Sequence, residues 1–186
     1  MPEIKRCSWG DTDDELSRKY HDEEWGKFNL DEKYLYEMLV LESFQSGLSW
    51  ATILYKRENF RHAFADFDVE KVSKFTDADF ERLMNDAGII RNKLKINAAI
   101  NNAQVLSNWH RNGNCFSTFL CEFIPNPIIH HFDSESDVPA KNELSAKISK
   151  EMKKQGFKFV GPTTIYSFLQ AVGLINDHIE KCSFKY

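Results

Sequence analysis

The sequence has no long apolar run and almost none of the patterns that mark special structural classes. No stretch approaches the roughly 18 consecutive apolar residues that a membrane-spanning helix needs, and the N-terminus lacks the apolar segment of a secretory signal. Internal repeats and low-complexity tracts are missing, and strict alternation of apolar and polar residues is nearly absent. These absences exclude a membrane span, a coiled coil and a disordered chain as overall descriptions, and we expect a cytoplasmic protein.

A large excess of either charge is also lacking. The chain carries 24 Lys and Arg residues against 28 Asp and Glu residues, which gives a net charge of -4. This mild acidity argues against a histone-like protein but not against nucleic-acid binding, because phosphate contacts need only a local basic patch. Cysteine is scarce, with four residues, and a reducing compartment favours metal ligation or simple burial over disulfides.

The 186 residues that are present suit one globular domain, predicted over residues 1–186. Apolar residues make up 42% of the chain, which is enough to bury a sizeable core. Aromatic residues reach 13%, which fits a packed core together with a pocket that stacks on a ring.

Apolar residues recur at helical spacing through most of the chain, and the predicted helices begin at residues that can cap them. The predicted capping residues are Asp31, Ser49, Asp68, Thr76, Asn92 and Asn142. The stretch before Asp31 is too polar to predict a core helix. The pattern therefore predicts an all-α fold.

Four potential metal ligands lie near the two ends of the chain. His178 and Cys182 are separated by three residues, a spacing that lets both side chains face one point. Cys7 and His21 at the other end would complete a Cys2His2 set, the composition of a closed structural zinc site. Buried cysteines and surface histidines that share no metal remain the alternative.

A helix, a tight turn and a second helix follow one another between residues 80 and 111. Gly88 in the turn would allow a positive φ and the close approach of another backbone. Arg91, Lys93 and Lys95 add positive charge where the second helix starts, and free N–H groups there can hold a phosphate. Such a hairpin can grip a DNA backbone without reading sequence. An ordinary helical hairpin is the alternative.

Lysine also predominates between residues 147 and 158, where Glu151 is the only acid. The lysines are Lys147, Lys150, Lys153, Lys154 and Lys158. A solvated helix face is the default interpretation, and contact with a DNA backbone is the weaker alternative.

A carboxylate and several aromatic residues form the last distinctive group. Glu42 follows the apolar residues 39–41, so its side chain must find a donor or stay protonated. Tyr20, Trp25 and Trp50 lie nearby in the sequence. Aromatic plates around a buried acceptor suit a flat, electron-poor heterocycle. Core packing explains any one of these aromatics, but it explains Glu42 less well.

These residues together resemble the DNA-3-methyladenine glycosylase I family, a branch of the helix-hairpin-helix glycosylases. The matching segments are residues 20–26, 41–50, 85–91, 156–161 and 173–178. They occur in the family's order between Cys7 and Cys182, so the likeness covers nearly the whole chain.

The resemblance implies a helix-hairpin-helix fold with two helical lobes around a base-binding cleft and a zinc clip that joins the termini. One structural zinc ion per chain would be held by Cys7, His21, His178 and Cys182. The implied activity is the excision of 3-methyladenine from double-stranded alkylated DNA by hydrolysis, which releases the free base without strand cleavage. The implied protein is a monomer that does not bind membranes.

The resemblance also assigns residues to the base pocket. Glu42 corresponds to the carboxylate that accepts hydrogen bonds from the damaged adenine. Tyr20 and Trp50 correspond to its stacking partners, and Trp9 and Trp25 to residues near the same pocket.

The DNA contacts implied by the resemblance lie in two short segments. Gly47 and Leu48 correspond to the loop that enters the DNA stack when the lesion is extruded. Residues 88–95 correspond to the hairpin that binds phosphate.

The sequence after the hairpin bears on the mechanism. No Asp occurs between Asp86 and Asp133, and Glu122 is the only acid in that interval. A purine nucleoside methylated at N3 is cationic, so its glycosidic bond is already weakened, and we expect binding of the departing base through Glu42 to drive hydrolysis. Two alternatives are a non-catalytic, zinc-stabilised DNA-binding module and a zinc hydrolase, which would need an open metal position.

Overall fold

The computed structural model describes residues 3–186, so Met1 and Pro2 of the predicted domain lie outside the described residues. The α-helices in this range are α1 (Glu15–Glu23), α2 (Glu32–Gln45), α3 (Trp50–Ala63), α4 (Val69–Val72), α5 (Asp77–Met84), α6 (Lys93–Arg111), α7 (Phe116–Phe123), α8 (Glu143–Lys154) and α9 (Pro162–Ala171). Single 3-10 turns occur at Ala65–Phe67 and Glu135–Asp137, and two short strands are β1 (Ile128–Ile129) and β2 (Ile175–Asn176). The mostly helical prediction is confirmed.

The predicted helix starts are confirmed because they depend on local hydrogen bonds. The side chains of the N-cap residues accept hydrogen bonds from backbone N–H groups in the first turns of their helices at Asp31, Ser49, Asp68, Asn92 and Asn142. The backbone N–H of Thr76 donates to Asp79 Oδ2 at 2.9 Å, as a capping box requires.

Two features differ from the prediction. Residues 15–23 form helix α1, which was not predicted. Its composition is polar because it buries little besides Tyr20 and His21. The fold is also not purely helical, because β1 and β2 form a two-stranded parallel sheet with Ile128 opposite Ile175. A pair of two-residue strands carries too little periodicity to be visible in sequence.

Helix α2 lies in the middle of the core. Its residues 35–44 are all buried, and it contacts α3, α6, α7 and α9. A helix that is apolar all round is buried on every side. Glu42 therefore lies on a rigid, buried helix one turn before its C-terminal end at Gln45.

The two chain ends lie side by side. The backbone N–H of Ser183 donates to the carbonyl of Lys5 at 2.8 Å, and the N–H of Lys5 donates to Ser183 Oγ at 3.0 Å. Gly173 permits a further close approach near the C-terminus, because a Cβ atom there would lie 2.2 Å from the carbonyl carbon of Lys27. These contacts bring Cys7 and Cys182 to the same place.

None of the helices in residues 3–186 combines the length and the apolar character that crossing a membrane would require.

Candidate functional site

A cavity of about 230 Å³ lies between α1, α2, α3 and α9. Its lining residues are Trp9, Tyr20, Trp25, Glu42, Gln45, Trp50, Ser167 and Gln170. All five residues that the sequence assigned to a base pocket are among them. Helices α1, α2 and α3 each contribute a ring or a carboxyl group from a separate part of the chain.

The aromatic walls of the cavity consist of two ring pairs. The rings of Tyr20 and Trp50 have centroids 5.2 Å apart and are inclined at 46°. The rings of Trp9 and Trp25 lie 5.0 Å apart in an edge-to-face arrangement. Rings on several sides favour a flat aromatic ligand.

Three polar atoms that border this cavity have no hydrogen-bond partner among the described residues. They are the hydroxyl of Tyr20, Oε2 of Glu42 and Nε1 of Trp50, and all three are buried. Buried polar groups are nearly always paired, because an unpaired group loses its hydration without compensation. Their convergence on one cavity indicates a ligand that offers both hydrogen-bond donors and an acceptor.

Burial controls the charge of Glu42. The residue is 6% exposed, and burial raises the pKa of its carboxyl group to about 8. No cation contacts this carboxyl group within the described part of the chain, unlike Glu37 five residues earlier. Burial therefore keeps Glu42 largely protonated near neutral pH, and a cationic or donor-rich ligand would favour its ionised form. Burial, followed by the nearby Glu42, also raises the pKa of Tyr20.

An ion-pair network positions α1 against its neighbours. The guanidinium of Arg57 on α3 binds Glu24 Oε1 and Glu37 Oε1, each at 2.7 Å. Glu24 lies at the end of α1 and Glu37 lies on α2, so one arginine joins three helices. No sequence signal marks this network, because none of its residues is unusual in its own helix. It holds Tyr20 of α1 over the cavity.

Gln170 on α9 is a further lining residue that the sequence analysis missed. Its Nε2 atom donates to Asp177 Oδ2 at 2.7 Å, and the hydroxyl of Tyr166 donates to the same oxygen at 2.6 Å. This contact orients the amide of Gln170 at the cavity wall. Asp177 directly precedes the predicted metal ligand His178. This position is the one sequence signal that could have pointed to Asp177 and its partner Gln170.

The four predicted metal ligands meet in one cluster beside the cavity. All four are buried, and their ligating atoms lie within 4.8 Å of one another. Sγ of Cys182 is 3.3 Å from Nδ1 of His178 and 3.7 Å from Nε2 of His21, and Sγ of Cys7 is 3.5 Å from the same His178 nitrogen. Thiolate and imidazole ligands of tetrahedral zinc lie about 3.5 Å apart, so the donor set fits that metal.

Each histidine of the cluster has an outer partner on its other ring nitrogen. Nδ1 of His21 lies 2.7 Å from Asp22 Oδ1, and Asp22 in turn pairs with Arg6. Nε2 of His178 lies 3.0 Å from the carbonyl oxygen of Trp25. Such partners orient metal-binding histidines and select their tautomer. The Trp25 ring also lies against the His178 ring, with centroids 4.6 Å apart, so the cluster supports the cavity wall.

A wider groove of about 450 Å³ adjoins the cavity and shares Glu42, Gln45 and Ser167 with it. Residues 46–49 border one side of this groove, and the first turn of α9 borders the other. Gly47 has a φ of +82°, and the Leu48 side chain is 39% exposed. The segment predicted to enter DNA therefore lies at the mouth of the cavity.

The hairpin between α5 and α6 forms as predicted, but Gly88 has a different role. Its φ is not positive, which corrects the prediction. Glycine suits the position because an added Cβ would lie 3.0 Å from Asp86 Oδ1 and 3.1 Å from Asn59 Cβ. The crowding comes from these side chains and not from another backbone. Arg91 and Lys93 are exposed at the start of α6, where the prediction placed phosphate contacts.

Lys95 is a correction to the predicted DNA contacts. The residue is 7% exposed, and its Nζ atom donates to the carbonyl of Phe44 at 2.9 Å and to that of Ser46 at 2.6 Å. Burial also lowers the pKa of this ammonium group. Lys95 therefore faces inward and binds the end of α2. The predicted phosphate contact by this residue is wrong.

Fold and cavity together define a mostly helical protein that admits a flat aromatic ligand beside a buried carboxyl group. The family model described as methyladenine glycosylase matches residues 9–186. The DNA-3-methyladenine glycosylase 1 of Escherichia coli strain K12 is 46% identical over 180 residues, which cover 96% of each chain. The chain belongs to the methyladenine glycosylase family.

Solved structures agree with this assignment. A crystal structure of 3-methyladenine DNA glycosylase I is similar with a TM-score of 0.93 and 43% identity, over 96% of this chain and 98% of that one. A structure described as the basis of 3-methyladenine recognition by the Staphylococcus aureus 3-methyladenine DNA glycosylase I has a TM-score of 0.92 and 38% identity, over 98% of this chain and 97% of that one.

Proposed function

We propose that the protein is a DNA repair hydrolase that excises 3-methyladenine from double-stranded alkylated DNA. It breaks the N-glycosidic bond, releases the free base and leaves the strand intact. The observation that carries the proposal is the convergence of three unpartnered polar atoms on one aromatic cavity. Family membership supports the same activity.

The cavity suits an extruded adenine in its hydrogen-bonding pattern. Glu42 can accept hydrogen bonds from N–H groups of the base, and Nε1 of Trp50 can only donate, so it requires an acceptor on the ligand. The Tyr20 hydroxyl can do either. A base that is cationic before cleavage favours the ionised form of Glu42, whose charge is otherwise disfavoured by burial. The pocket therefore favours the cationic, methylated base over a neutral, undamaged one, and the base leaves in neutral form because it takes the electron pair of the broken bond.

Hydrolysis in this protein relies on binding the departing base. Glu122, the only acid between residues 87 and 132, lines a separate surface pocket with Trp109 and Phe119. It therefore cannot act at the cavity. Among the described residues that line the cavity there is no lysine, so the site offers no amine for a Schiff base and strand cleavage.

Zinc is the second part of the proposal. We infer that Cys7, His21, His178 and Cys182 bind one structural zinc ion per chain. Burial lowers the pKa of His178 to about 4, which keeps its imidazole in the neutral form that binds metals. Four protein ligands would complete a tetrahedral shell, so the ion would join the two chain ends and would have no open position for a hydrolytic water. The zinc hydrolase alternative therefore lacks support.

Two elements near the C-terminal end of α2 bind DNA in this proposal. Arg91 and Lys93 at the hairpin contact phosphates of the duplex, while Gly47 and Leu48 occupy the space that the extruded nucleotide leaves. This division corresponds to a helix-hairpin-helix glycosylase with two lobes around a cleft. A monomeric state and a cytoplasmic location stay predictions.

A base-release assay tests the function directly. Incubation with a methylated duplex, followed by chromatography of the free bases, should yield 3-methyladenine from the wild-type protein. Glu42→Gln should reduce the rate about tenfold to a hundredfold, because a charge-assisted hydrogen bond contributes roughly 1.5–3 kcal/mol. The matched control Glu122→Gln should retain the wild-type rate.

The same preparations distinguish the alternative function. A non-catalytic DNA-binding module would bind the duplex and release no base. An unchanged rate in a stably folded Glu42→Gln variant would remove Glu42 from the mechanism.

A further inference from the structure

The segment 156–161 is part of the sequence resemblance, yet neither the cavity nor the hairpin accounts for it. Side chains of α6 bind its backbone closely. Asn101 Nδ2 donates to the Gly156 carbonyl at 2.8 Å, and Asn102 Nδ2 donates to the Lys158 carbonyl at 3.0 Å. The N–H of Lys158 returns a bond to Asn102 Oδ1 at 2.9 Å. Half of the segment is thus held in one conformation by two asparagines.

The other half of the segment is bound to α8 and α2. Ser149 Oγ donates to the Val160 carbonyl at 2.5 Å. Ser43 Oγ donates to the Leu39 carbonyl at 2.7 Å and also lies 3.2 Å from the Phe159 carbonyl. Ser43 directly follows Glu42, so the segment is attached to the helix that carries the buried carboxyl group.

Phe159 has a strained backbone but does not bury its ring. Its φ is +55°, a left-handed backbone conformation that residues other than glycine and asparagine rarely adopt. Phe67 has a similar φ of +54°, but its ring is fully buried and stacks on Phe64 at 5.9 Å. The ring of Phe159 remains 38% exposed. The strain at Phe159 therefore presents an aromatic ring to solvent, a pattern that occurs at functional sites.

The neighbouring residues extend this surface towards the groove. Lys158 is exposed and has no carboxylate within 4.0 Å in the described part of the chain. Gly161 is the N-cap of α9, and Thr163 and Thr164 in the first turn of that helix line the groove that Leu48 borders. The positive charge of Lys158 and the exposed ring of Phe159 thus extend the surface that we propose faces DNA.

We propose that Lys158 and Phe159 form a second DNA-contact surface beside the Gly47–Leu48 segment. The Lys158 ammonium binds a backbone phosphate, and the Phe159 ring packs on the sugars or bases next to the extruded nucleotide. This inference rests on the proposed function for its partner, duplex DNA. It adds contacts that neither the hairpin nor the cavity supplies.

The first test is Phe159→Asn, since asparagine tolerates the left-handed backbone that the loop imposes. We expect a melting temperature equal to or higher than that of the wild type, because strain is relieved. Affinity for a labelled duplex with an abasic-site analogue should fall about tenfold, since base–aromatic contacts contribute at that level. Binding of free 3-methyladenine should stay unchanged, because Phe159 is outside the cavity.

The second test is Lys158→Gln, with Lys74→Gln as a matched control that removes one exposed lysine from the segment between α4 and α5. The slope of log affinity against log salt concentration should decrease by about one for Lys158→Gln and stay unchanged for the control.

Two results would overturn the proposal. Duplex affinity equal to the wild type in both folded variants would show that the segment only packs the helices. Parallel loss of free-base binding and duplex affinity would also show a packing role. If the wild-type protein releases no base while the variants still lose duplex affinity, the proposed function fails and the contact surface is supported.

Discussion

At the scale of single residues, the decisive feature is a carboxyl group on a helix that is buried on every side. Glu42 shares α2 with Glu37, yet the two acids have opposite surroundings. Arg57 and Arg61 neutralise Glu37 at 2.7 and 2.8 Å, whereas Glu42 lines the cavity and its Oε2 atom has no hydrogen-bond partner among the described residues. Glu42 therefore carries an uncompensated desolvation cost, which a ligand that donates hydrogen bonds would relieve.

This difference predicts a pH dependence of stability. The pKa of Glu42 rises from the ordinary 4.5 to about 8 on folding, so the folded state binds its proton more tightly than the unfolded state. The contribution of Glu42 to stability is then greatest below the unfolded pKa and is lost as pH rises towards the folded pKa. We expect the stability of Glu42→Gln relative to the wild type to increase between pH 4.5 and about 8 and to level off above.

Thermal unfolding of both proteins across this range, without DNA or free base, measures the effect. A stability difference that does not change with pH would show that Glu42 is already ionised in the free protein.

At the scale of helices, two lysines that are two residues apart at the start of α6 have different surroundings. Lys93 is exposed at the hairpin, whereas the ammonium of Lys95 holds the carbonyls of Phe44 and Ser46. Those carbonyls lie just before Gly47, so α6 is joined directly to the segment at the cavity mouth. Lys95 thereby joins the start of α6, where we propose phosphate contacts, to the end of the helix that carries Glu42.

The two lysines therefore predict different variant behaviour. Lys93→Ala should weaken binding to all duplex sequences alike and flatten the salt dependence, with an unchanged melting temperature. Lys95→Met should lower the melting temperature by several degrees, because two carbonyls lose a buried donor at about 1–3 kcal/mol. Titrations with two duplexes of different sequence, together with thermal melts, separate these outcomes. Sequence-selective loss in Lys93→Ala, or a Lys95→Met melt like that of the wild type, would contradict the division.

At the scale of the whole molecule, the chain ends are joined beside the cavity. Lys5 and Ser183 exchange hydrogen bonds, and the ligand cluster lies just inside them. The rings of Trp9 and Trp25 pack on His21 and His178, so the cluster and the aromatic wall form one unit. The zinc ion that we propose for this cluster would close a loop of nearly the full chain length, which would restrict the unfolded state and stabilise the fold.

Metal analysis should find about one zinc ion per chain, because the four ligands form a single closed site. Chelation and Cys182→Ser should each lower the melting temperature by several degrees or more, since about 1 kcal/mol corresponds to about 2–4 °C at this size. Base release measured well below the transition should change less than stability does. Absence of zinc, or a melting temperature that chelators leave unchanged, would rule out the structural metal.

Features that depend on near neighbours in the chain can be predicted from the sequence. Helix starts at Asp31, Ser49 and Asn92 follow from side chains that bond N–H groups two or three residues away. The hairpin likewise follows from a short turn between two amphipathic helices. The resemblance of separate segments to one family supplied the candidate pocket, because its residues lie in distinctive patterns around Tyr20, Glu42 and Trp50.

Contacts between groups that are far apart in the chain depend on the packing of the helices and cannot be predicted from local patterns. Helix α1 has few apolar residues, and the burial of Tyr20 depends on packing against α2 and α3, to which Arg57 joins the end of α1. Lys95 was placed on DNA because the carbonyls it binds lie about fifty residues earlier in the chain. Charge and spacing in a sequence indicate what a side chain can bind, whereas packing determines which partner is within reach.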